Sequence, residues 1–397
     1  MTRTPCVLTI NSGSSSIKFA VFPIGASEPV LKGKAERIGL EGSSFEASDA
    51  MGARVAHEER PLPDHESALQ LVLDCAGAAT PHMLVAVGHR VVRGGAEDSE
   101  PQPVTRALLH RVRDLIPYLP EHLPHEVAAI EAVEKFDPSL TQVACFDTAF
   151  HRTMPRVAQL YALPRQLLNG GILRYGFHGL SYEFVVGELA RLSSERMPRR
   201  VVIAHLGNGC SMAAVRDGKS IDTTMGFTPT GGLVMSSRSG DLDPGLIVYL
   251  LEQRKLSVAE LNDLLNRRSG LAGVSGGRVD MRDLLAREAT DPHAAEAISL
   301  FCYQAKKYLG ALAAVLGGVD ALIFTAGIGE NAPEIRRRIC EGAGHLGLIL
   351  DPRANDANAP TISAAESSGV IRVIPTNEEL MIARHTAKVI GRQAEAR

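Results

Sequence analysis

Two stretches of this chain, starting at Val7 and Val201, follow one plan. The first reads VLTINSGSSSIKFAVF and the second VVIAHLGNGCSMAAV. Each is an apolar strand, a turn dense in glycine and small hydroxyl or amide residues, and a second apolar strand. Glycine lets such a turn bring backbone N–H groups close to a ligand, and concave arrays of amides bind phosphate. A single hairpin of this kind is an ordinary structural element. A distant pair predicts a duplicated fold with a nucleotide held between its halves.

The length agrees with duplication. A chain of 397 residues exceeds what one core usually holds, so two domains are expected. Hydrophobic content of 45% and charged content of 22% belong to a soluble globular protein. A net charge of −3 leaves no electrostatic footprint for nucleic acid, and with no tryptophan there are few platforms for stacking bases. The densest basic run, Arg336-Arg337-Arg338, reads as the solvated face of a helix. Six scattered cysteines form no C-x-x-C pair, which argues against a zinc or redox motif, and Cys145 reads as core. The N-terminus lacks the apolar run of a signal peptide, and the uncharged stretch 309–319 is too short to span a bilayer. A reduced, cytoplasmic enzyme with no membrane partner is the expectation.

Strand and helix signals alternate along the chain, which argues for an α/β fold. Strand–turn–strand patterns fill the first 45 positions, and residues 48–82 are polar with a helical segment at 67–75. Leu84–Val87 and Gln142–Phe146 read as strands. Between them, 105–136 is helical but interrupted by Pro117, Pro120 and Pro124. The pattern restarts near residue 150. From Ala294 to Leu316, Ile298, Phe301, Cys302, Ala305, Leu309, Leu312 and Leu316 keep one apolar face, and Gly317-Gly318 stops the helix. Strand Ala321–Thr325 then runs into AGIGEN and a further helix, for which Asn331 is placed as the cap, with Pro333 and Glu334 in capping positions.

The chemistry-bearing residues are scattered. There is no Walker A loop. Gly218-Lys219-Ser220 comes nearest, and an Asp217-Gly218 hairpin turn accounts for it better. There is no strict G-x-G-x-x-G fingerprint either, which disfavours a dehydrogenase. AGIGEN, opening a helix after a strand, suits an anion or an adenosine phosphate, or is simply a turn. Arg90, after an apolar strand, and Arg238, within SSRSGD, suit forked contacts to phosphate or carboxylate, or surface ion pairs. Asp147 closes an apolar strand, as a metal-holding or polarising carboxylate or as a cap for its own turn. His178 is a candidate donor to a phosphoryl group, or a structural histidine.

Taken together, these segments resemble the acetate kinases, of the acetate and sugar kinase, Hsp70 and actin superfamily. The resemblance covers essentially the whole chain. It rests on NSGSSSIK (11–18), GHRVV (88–92), FDTAFH (146–151), RYGFHG (174–179), HLGNG (205–209), DTTMGFTP (222–229), RSGDLDPG (238–245), FTAGIGEN (324–331) and PTNEEL (375–380). It implies a duplicated two-domain actin-like ATPase fold with ribonuclease H-like halves and nucleotide in the interdomain cleft. Residues 1–150 with 378–397 would form one domain and 151–377 the other. It implies a homodimer, and Mg²⁺ as the cofactor, entering as MgATP, with Mn²⁺ as an alternative.

By the same resemblance, Asn11 and Glu378 lie at the metal, with Glu379 an alternative to the second. Ser12, Ser14, Ser16 and Lys18 form the first phosphate loop, and His205, Leu206, Gly207, Asn208 and Gly209 the second. Asp280, Met281 and Arg282, with Gly327, Ile328, Gly329, Glu330 and Asn331, hold the nucleotide. Arg90 binds the acyl carboxylate, and Val92, Phe177 and Pro229 line a small apolar pocket. Asp147 is the catalytic carboxylate, while His178 and Arg238 stabilise the transferring phosphoryl group. The chain departs from the family pattern at Arg93, Glu121, Leu180 and Tyr182, and Glu121 stands where an apolar pocket residue is usual.

The reaction implied is ATP + acetate ⇌ ADP + acetyl phosphate. An acyl carboxylate is already ionised at neutral pH, so no general base is needed. Asp147 is then read as orienting the carboxylate or as holding Mg²⁺ through a water. Charge repulsion is the main obstacle, which points to electrostatic preorganisation. A propionate or other short-chain acyl kinase is the near alternative, and a nucleotide-switched actin- or Hsp70-like module the distant one.

Overall fold

The computed structural model describes residues 4–395 apart from Ser14, 79–82, Ala96 and 194–196. The chain divides into two compact units, Met1–Ala149 with Asn377–Arg397, and Phe150–Thr376.

The first unit is built on a sheet of strands β1 (Pro5–Ser12), β2 (Ser16–Pro23), β3 (Leu31–Glu36), β4 (Ser44–Asp49), β5 (Arg54–Glu59), β6 (Met83–Val91), β7 (Gln102–Pro103) and β8 (Thr141–Phe146). Their order is β5-β4-β3-β2-β1-β6-β8-β7. The polar stretch after residue 48 thus contains the end of β4 and all of β5, which composition alone did not show. Of the two, β5 is the edge strand, where polar and charged residues are tolerated on both faces, while β4 lies one strand in and buries only Phe45 and Ala47.

One face of this sheet buries Leu8, Ile10, Ile17 and Phe19 against Leu69 and Val72 of helix His65–Ala78 and Ala129 and Val133 of helix Leu123–Phe136. Helix Glu378–Glu395 packs on β1, β2, β6 and β8. At Gly88 the approach is so close that a Cβ would lie 2.6 Å from Ile382 Cγ2. Strands β1, β6 and β8 are therefore covered on both faces, which is why they read as near-continuous apolar runs.

The second unit is built on β9 (Arg200–Leu206), β10 (Cys210–Arg216), β11 (Lys219–Thr223), β12 (Ala321–Thr325) and β13 (Val370–Val373), in the order β11-β10-β9-β12-β13. Here β9–β10 and β10–β11 are antiparallel, while β9–β12 and β12–β13 are parallel. The first sheet has the same centre: β1–β2 and β2–β3 are antiparallel, β1–β6 and β6–β8 parallel. The duplication foreshadowed by the two hairpins is thus a duplication of strand order and direction. Asp217 and Gly218 make the two-residue turn between β10 and β11, with φ of 50° and 77°.

Helix Pro292–Leu316 lies against β10, β11 and β9. Asp291 caps its start, accepting from the His293 N–H at 3.0 Å, and Gly317 ends it at φ 71°. All seven residues assigned to its apolar face are buried. One capping assignment fails. AGIGEN is itself a short helix, Ala326–Asn331, and Asn331 donates its side-chain amide back to the Gly327 carbonyl at 3.0 Å. The cap position of the following helix, Pro333–Cys340, is Ala332, which has no side chain able to cap.

Candidate active site

In the first unit, Arg90 sits on β6 rather than in a loop after it, at the level of Cys145 on β8. Asp147 lies just beyond β8. Parallel register therefore brings together two residues 57 positions apart. Arg90 donates from Nε at 3.0 Å and from Nη2 at 2.5 Å to Asp147 Oδ2. The Asp147 side chain is fully buried and that of Arg90 is 13% exposed. This edge-on grip leaves the Nη1–Nη2 fork as the edge able to meet a carboxylate. Burial works against the charge on Arg90, but Asp147, Glu378 and Glu126 outweigh it and hold the guanidinium firmly protonated.

Glu126 had no place in the reading of the sequence. It lies in helix Leu123–Phe136 with its side chain fully buried and Oε1 4.0 Å from Arg90 Nη1. Its Oε2 accepts the Val92 N–H at 3.0 Å. Burial pushes its carboxyl up to about 8, against the pull of Arg90 and the Val92 amide. A buried carboxylate followed by an apolar helix face gives no signal that distinguishes it from an exposed one.

The first hairpin adjoins this pair. Asn11, near the end of β1, stands opposite Lys18 on β2. Its amide donates to Glu378 Oε2 at 2.9 Å and Glu379 Oε1 at 3.4 Å. The Glu379 carboxyl is raised by burial and by the neighbouring Glu378, with Lys18 opposing. The turn closes with the Gly13 N–H on the Ser16 carbonyl at 2.7 Å. Ser12 Oγ is buried and has no hydrogen-bond partner among the described residues, so it is a donor in waiting. Ser14 lies outside the described residues.

Glu378 and Glu379 meet at the Asn11 amide nitrogen, which brings two carboxylates, hard oxygen donors, to one corner. Mg²⁺ binds proteins through one or two carboxylates and completes its shell with phosphate and water. Burial first and the neighbouring Glu378 second raise the Glu379 carboxyl, and a divalent cation would offset both by favouring the ionised form. The residues fit the metal.

In the second unit, His178 is the residue before helix Gly179–Leu192, at φ 61°. Its Nδ1 bonds Ser211 Oγ at 2.8 Å, and its ring stacks on that of His205, with centroids 4.1 Å apart. His205 in turn bonds Ser181 Oγ through Nδ1 at 2.8 Å, and Ser181 bonds Thr376 Oγ1 at 2.8 Å. Gly209 is the point of convergence: a Cβ there would lie 3.1 Å from His178 Nε2 and 3.5 Å from Arg238 Nη1. Only glycine leaves this space open. Arg238 is anchored by donation to the Pro229 carbonyl at 3.1 Å. Phe177 is buried, and its carbonyl accepts from His151 Nε2 at 2.9 Å.

The second turn closes with the Gly207 N–H on the Gly209 carbonyl at 3.1 Å, and Leu206 is buried beneath it. Asn208 is held through its carbonyl, which accepts from Ser236 N at 3.2 Å. A Cβ on Gly207 would lie 3.5 Å from that of Ala326, so helix Ala326–Asn331 abuts the turn. Glu330 folds back, its Oε1 accepting the N–H groups of Ala326 at 2.7 Å and Thr376 at 3.1 Å. Gly327, Ile328, Gly329 and Asn331 complete this helix.

Asp280, Met281 and Arg282 are not drawn into this cluster among the described contacts. Asp280 caps helix Met281–Arg287 and pairs with Arg282 at 2.5 Å, while Met281 is buried.

Arg336 corrects the reading of its basic run. Its side chain is fully buried and donates to the carbonyls of Gly329 and Glu330, each at 2.9 Å, and to Asn355 Oδ1 at 2.8 Å. It buttresses the AGIGEN helix from behind. Arg337 and Arg338 do pair on the outside, with Glu334 and Glu288. Three consecutive arginines on a helix point in three directions, so composition could not separate them.

Of the four departures from the family pattern, Tyr182 has a structural role: its buried hydroxyl shares Ser211 Oγ with His178. Arg93 is buried and lies over the Tyr118 ring at 5.8 Å. Leu180 is core, and Glu121 is half-buried in the turn before helix Leu123–Phe136.

Each unit carries a sheet of the same central topology and a phosphate-type turn, the first with a buried Arg–Asp pair and the second with a His–Arg cluster, parts that suit an ATP-dependent phosphotransferase with a carboxyl acceptor. The model of the acetokinase family matches residues 6–384, and the chain belongs to that family. An acetate kinase from Rhodopseudomonas palustris (strain TIE-1) is 48% identical over 392 residues, covering 96% of this chain and 97% of that protein. Among solved structures, a propionate kinase from Francisella tularensis subsp. tularensis SCHU S4 superposes with a TM-score of 0.91 at 36% identity, covering 97% of this chain and 100% of that one. The acetate kinase of Porphyromonas gingivalis gives 0.86 at 36% identity and the same coverage.

Proposed function

We propose that this chain transfers the γ-phosphoryl group of ATP reversibly to acetate by direct in-line displacement, giving acetyl phosphate and ADP. The observation that carries the reading is Arg90, nearly buried, always charged and locked on one edge by Asp147. Such a group is made for a small anion that arrives without its water.

The acceptor carboxylate needs no base, and Asp147 Oδ2 already accepts two donors of Arg90. Its task is to fix the guanidinium. We assign the acyl methyl group to Val92, Phe177 and Pro229, each of which is buried within its own unit. Arg238 and His178 offer donors around Gly209 to the equatorial oxygens of the transferring group. The turns at Ser12–Lys18 and His205–Gly209, with Asp280, Met281, Arg282 and Gly327–Asn331, hold the nucleotide. Asn11 with Glu378, or Glu379, would hold Mg²⁺. When bound, the ion neutralises phosphate charge.

We further propose a cytoplasmic homodimer. The six cysteines are free thiols, as a reducing compartment maintains, and no helix among the described residues is long and apolar enough to cross a membrane. Helix Pro244–Glu252, PGLIVYLLE, buries none of its residues and exposes Leu246, Val248 and Tyr249. A second copy of the chain is a fitting cover for it. Sedimentation at micromolar concentration tests this: a monomer would refute it.

A hydroxamate assay tests the activity. Hydroxylamine traps acyl phosphate made from ATP, Mg²⁺ and formate, acetate, propionate or butyrate in turn. Signal strongest with acetate is expected. One methylene is worth about 1–3 kcal/mol in an apolar pocket, so a weaker signal with propionate is expected too. A stronger signal with propionate would reassign the acceptor, and none with any acid would overturn the reading.

A further inference from the structure

Arg90 is asked to bind an anion while carboxylates already surround it. Asp147 takes its Nε–Nη2 edge, Glu378 acts on it from helix Glu378–Glu395, and Glu126 lies 4.0 Å from Nη1, beside the fork left for the substrate. With Asp147 and Glu126 both ionised, the immediate group carries net charge −1 before any substrate arrives. With Glu126 neutral it carries zero, and an incoming carboxylate meets an arginine opposed by Asp147 and Glu378 but no longer by Glu126.

Glu126 is also tied to the backbone that leads into the acyl pocket, through the Val92 N–H. A neutral carboxyl keeps that bond, because its carbonyl oxygen still accepts. We propose that Glu126 is a positioning residue for the acceptor: uncharged, it holds the Val92 amide and leaves Arg90 to the substrate carboxylate, whereas ionised it competes with that carboxylate for Arg90. This rests on the assignment of Arg90 to the acceptor.

The surroundings favour control by Glu126 itself. Arg90 from β6 and Asp147 from the end of β8 are the charges that act on it directly. The neighbours along its own segment are His122, just before the helix, and His125 within it. From helix His65–Ala78, His65 stacks on His125 with centroids 3.9 Å apart. From helix Arg106–Asp114, Arg113 pairs with Glu131. Burial lifts the Glu126 carboxyl to about 8, so it loses its proton just above neutrality.

The test is acetate KM against pH at saturating MgATP, in the native enzyme and in Glu126→Gln. Glutamine keeps an oxygen for Val92 and cannot ionise. In the native enzyme acetate KM should rise about tenfold from pH 7 to 9, with no parallel rise in ATP KM. In Glu126→Gln the rise should vanish. Profiles that superimpose, or a flat native profile, overturn the proposal.

A measurement on the native protein guards against a variant that folds poorly. Adding sodium acetate near pH 8 should draw protons from a weakly buffered solution, because binding favours protonated Glu126. No uptake overturns the proposal. Failure of the underlying assignment reads differently: Arg90→Ala would then leave acetate KM unchanged at every pH.

Discussion

His178 and His205 lie ring on ring, 4.1 Å between centroids and 19° from parallel, each tied through Nδ1 to a serine hydroxyl. The serines fix both rings in rotation, so Nε2 of His178 is left aimed at the space above Gly209. This is a donor set in place before the reaction, where it needs no reorganisation. His178→Ala should therefore lower kcat by about 10²–10³ while ATP KM changes little. Steady-state kinetics with a circular dichroism check on folding decide it, and a loss confined to KM would remove His178 from the transition state.

The two arginines are expected to fail differently. Arg90→Ala should raise acetate KM and lower kcat, since it loses both the anion and the partner of buried Asp147. Arg238→Ala should act mainly on kcat, by at least about 10²-fold. Near-normal turnover in both variants would contradict the roles assigned to them.

Arg336 is buried, and its bonds go to carbonyl and amide oxygens behind the AGIGEN helix. Lysine cannot reproduce a planar fork of five donors. Arg336→Lys should cost about 2–4 kcal/mol, from buried acceptors left unmet. It should also raise ATP KM more than acetate KM. Urea denaturation and the two KM values check this together.

Two buried histidines set the acid limit. His89, bonded to Gln142, and His151, bonded to Ser220 and Phe177, are pushed down by burial to about 4. In the unfolded chain each titrates near 6.5. Above that pH both states are neutral and the stability is fully present. Between 6.5 and 4 the unfolded chain takes up protons that the folded chain refuses, so stability falls with pH, by up to about 3 kcal/mol per histidine. Urea midpoints at pH 7, 5.5 and 4.5 should decline accordingly. The decline should be shallower in His151→Gln.

Local signals carried much of the fold. The hairpin at Val7–Phe22, the Asp217-Gly218 turn and the apolar face of helix Pro292–Leu316 follow from turn chemistry and 3.6-residue periodicity, which act over a few residues. Local signals misled where a residue's surroundings come from elsewhere. Asn331 had the composition of a cap, but the strand ending at Thr325 leads straight into helix at Ala326, so the boundary falls earlier. Edge strand β5 and its neighbour β4 carry too many polar residues to stand out.

The sequence by itself determined that this chain would make two glycine-turn hairpins, alternate strands with helices, and belong among phosphotransferases that act on carboxylates. It singled out Arg90 and Asp147 separately. Only the tertiary structure decided that they share a bond, that Glu126 lies beneath them, and that Arg336 faces inward while Arg337 faces out. The physical reason is that a charged residue's role depends on what desolvates and opposes it. Those partners are delivered by parallel strand register and helix packing across tens of residues, where no local pattern reaches.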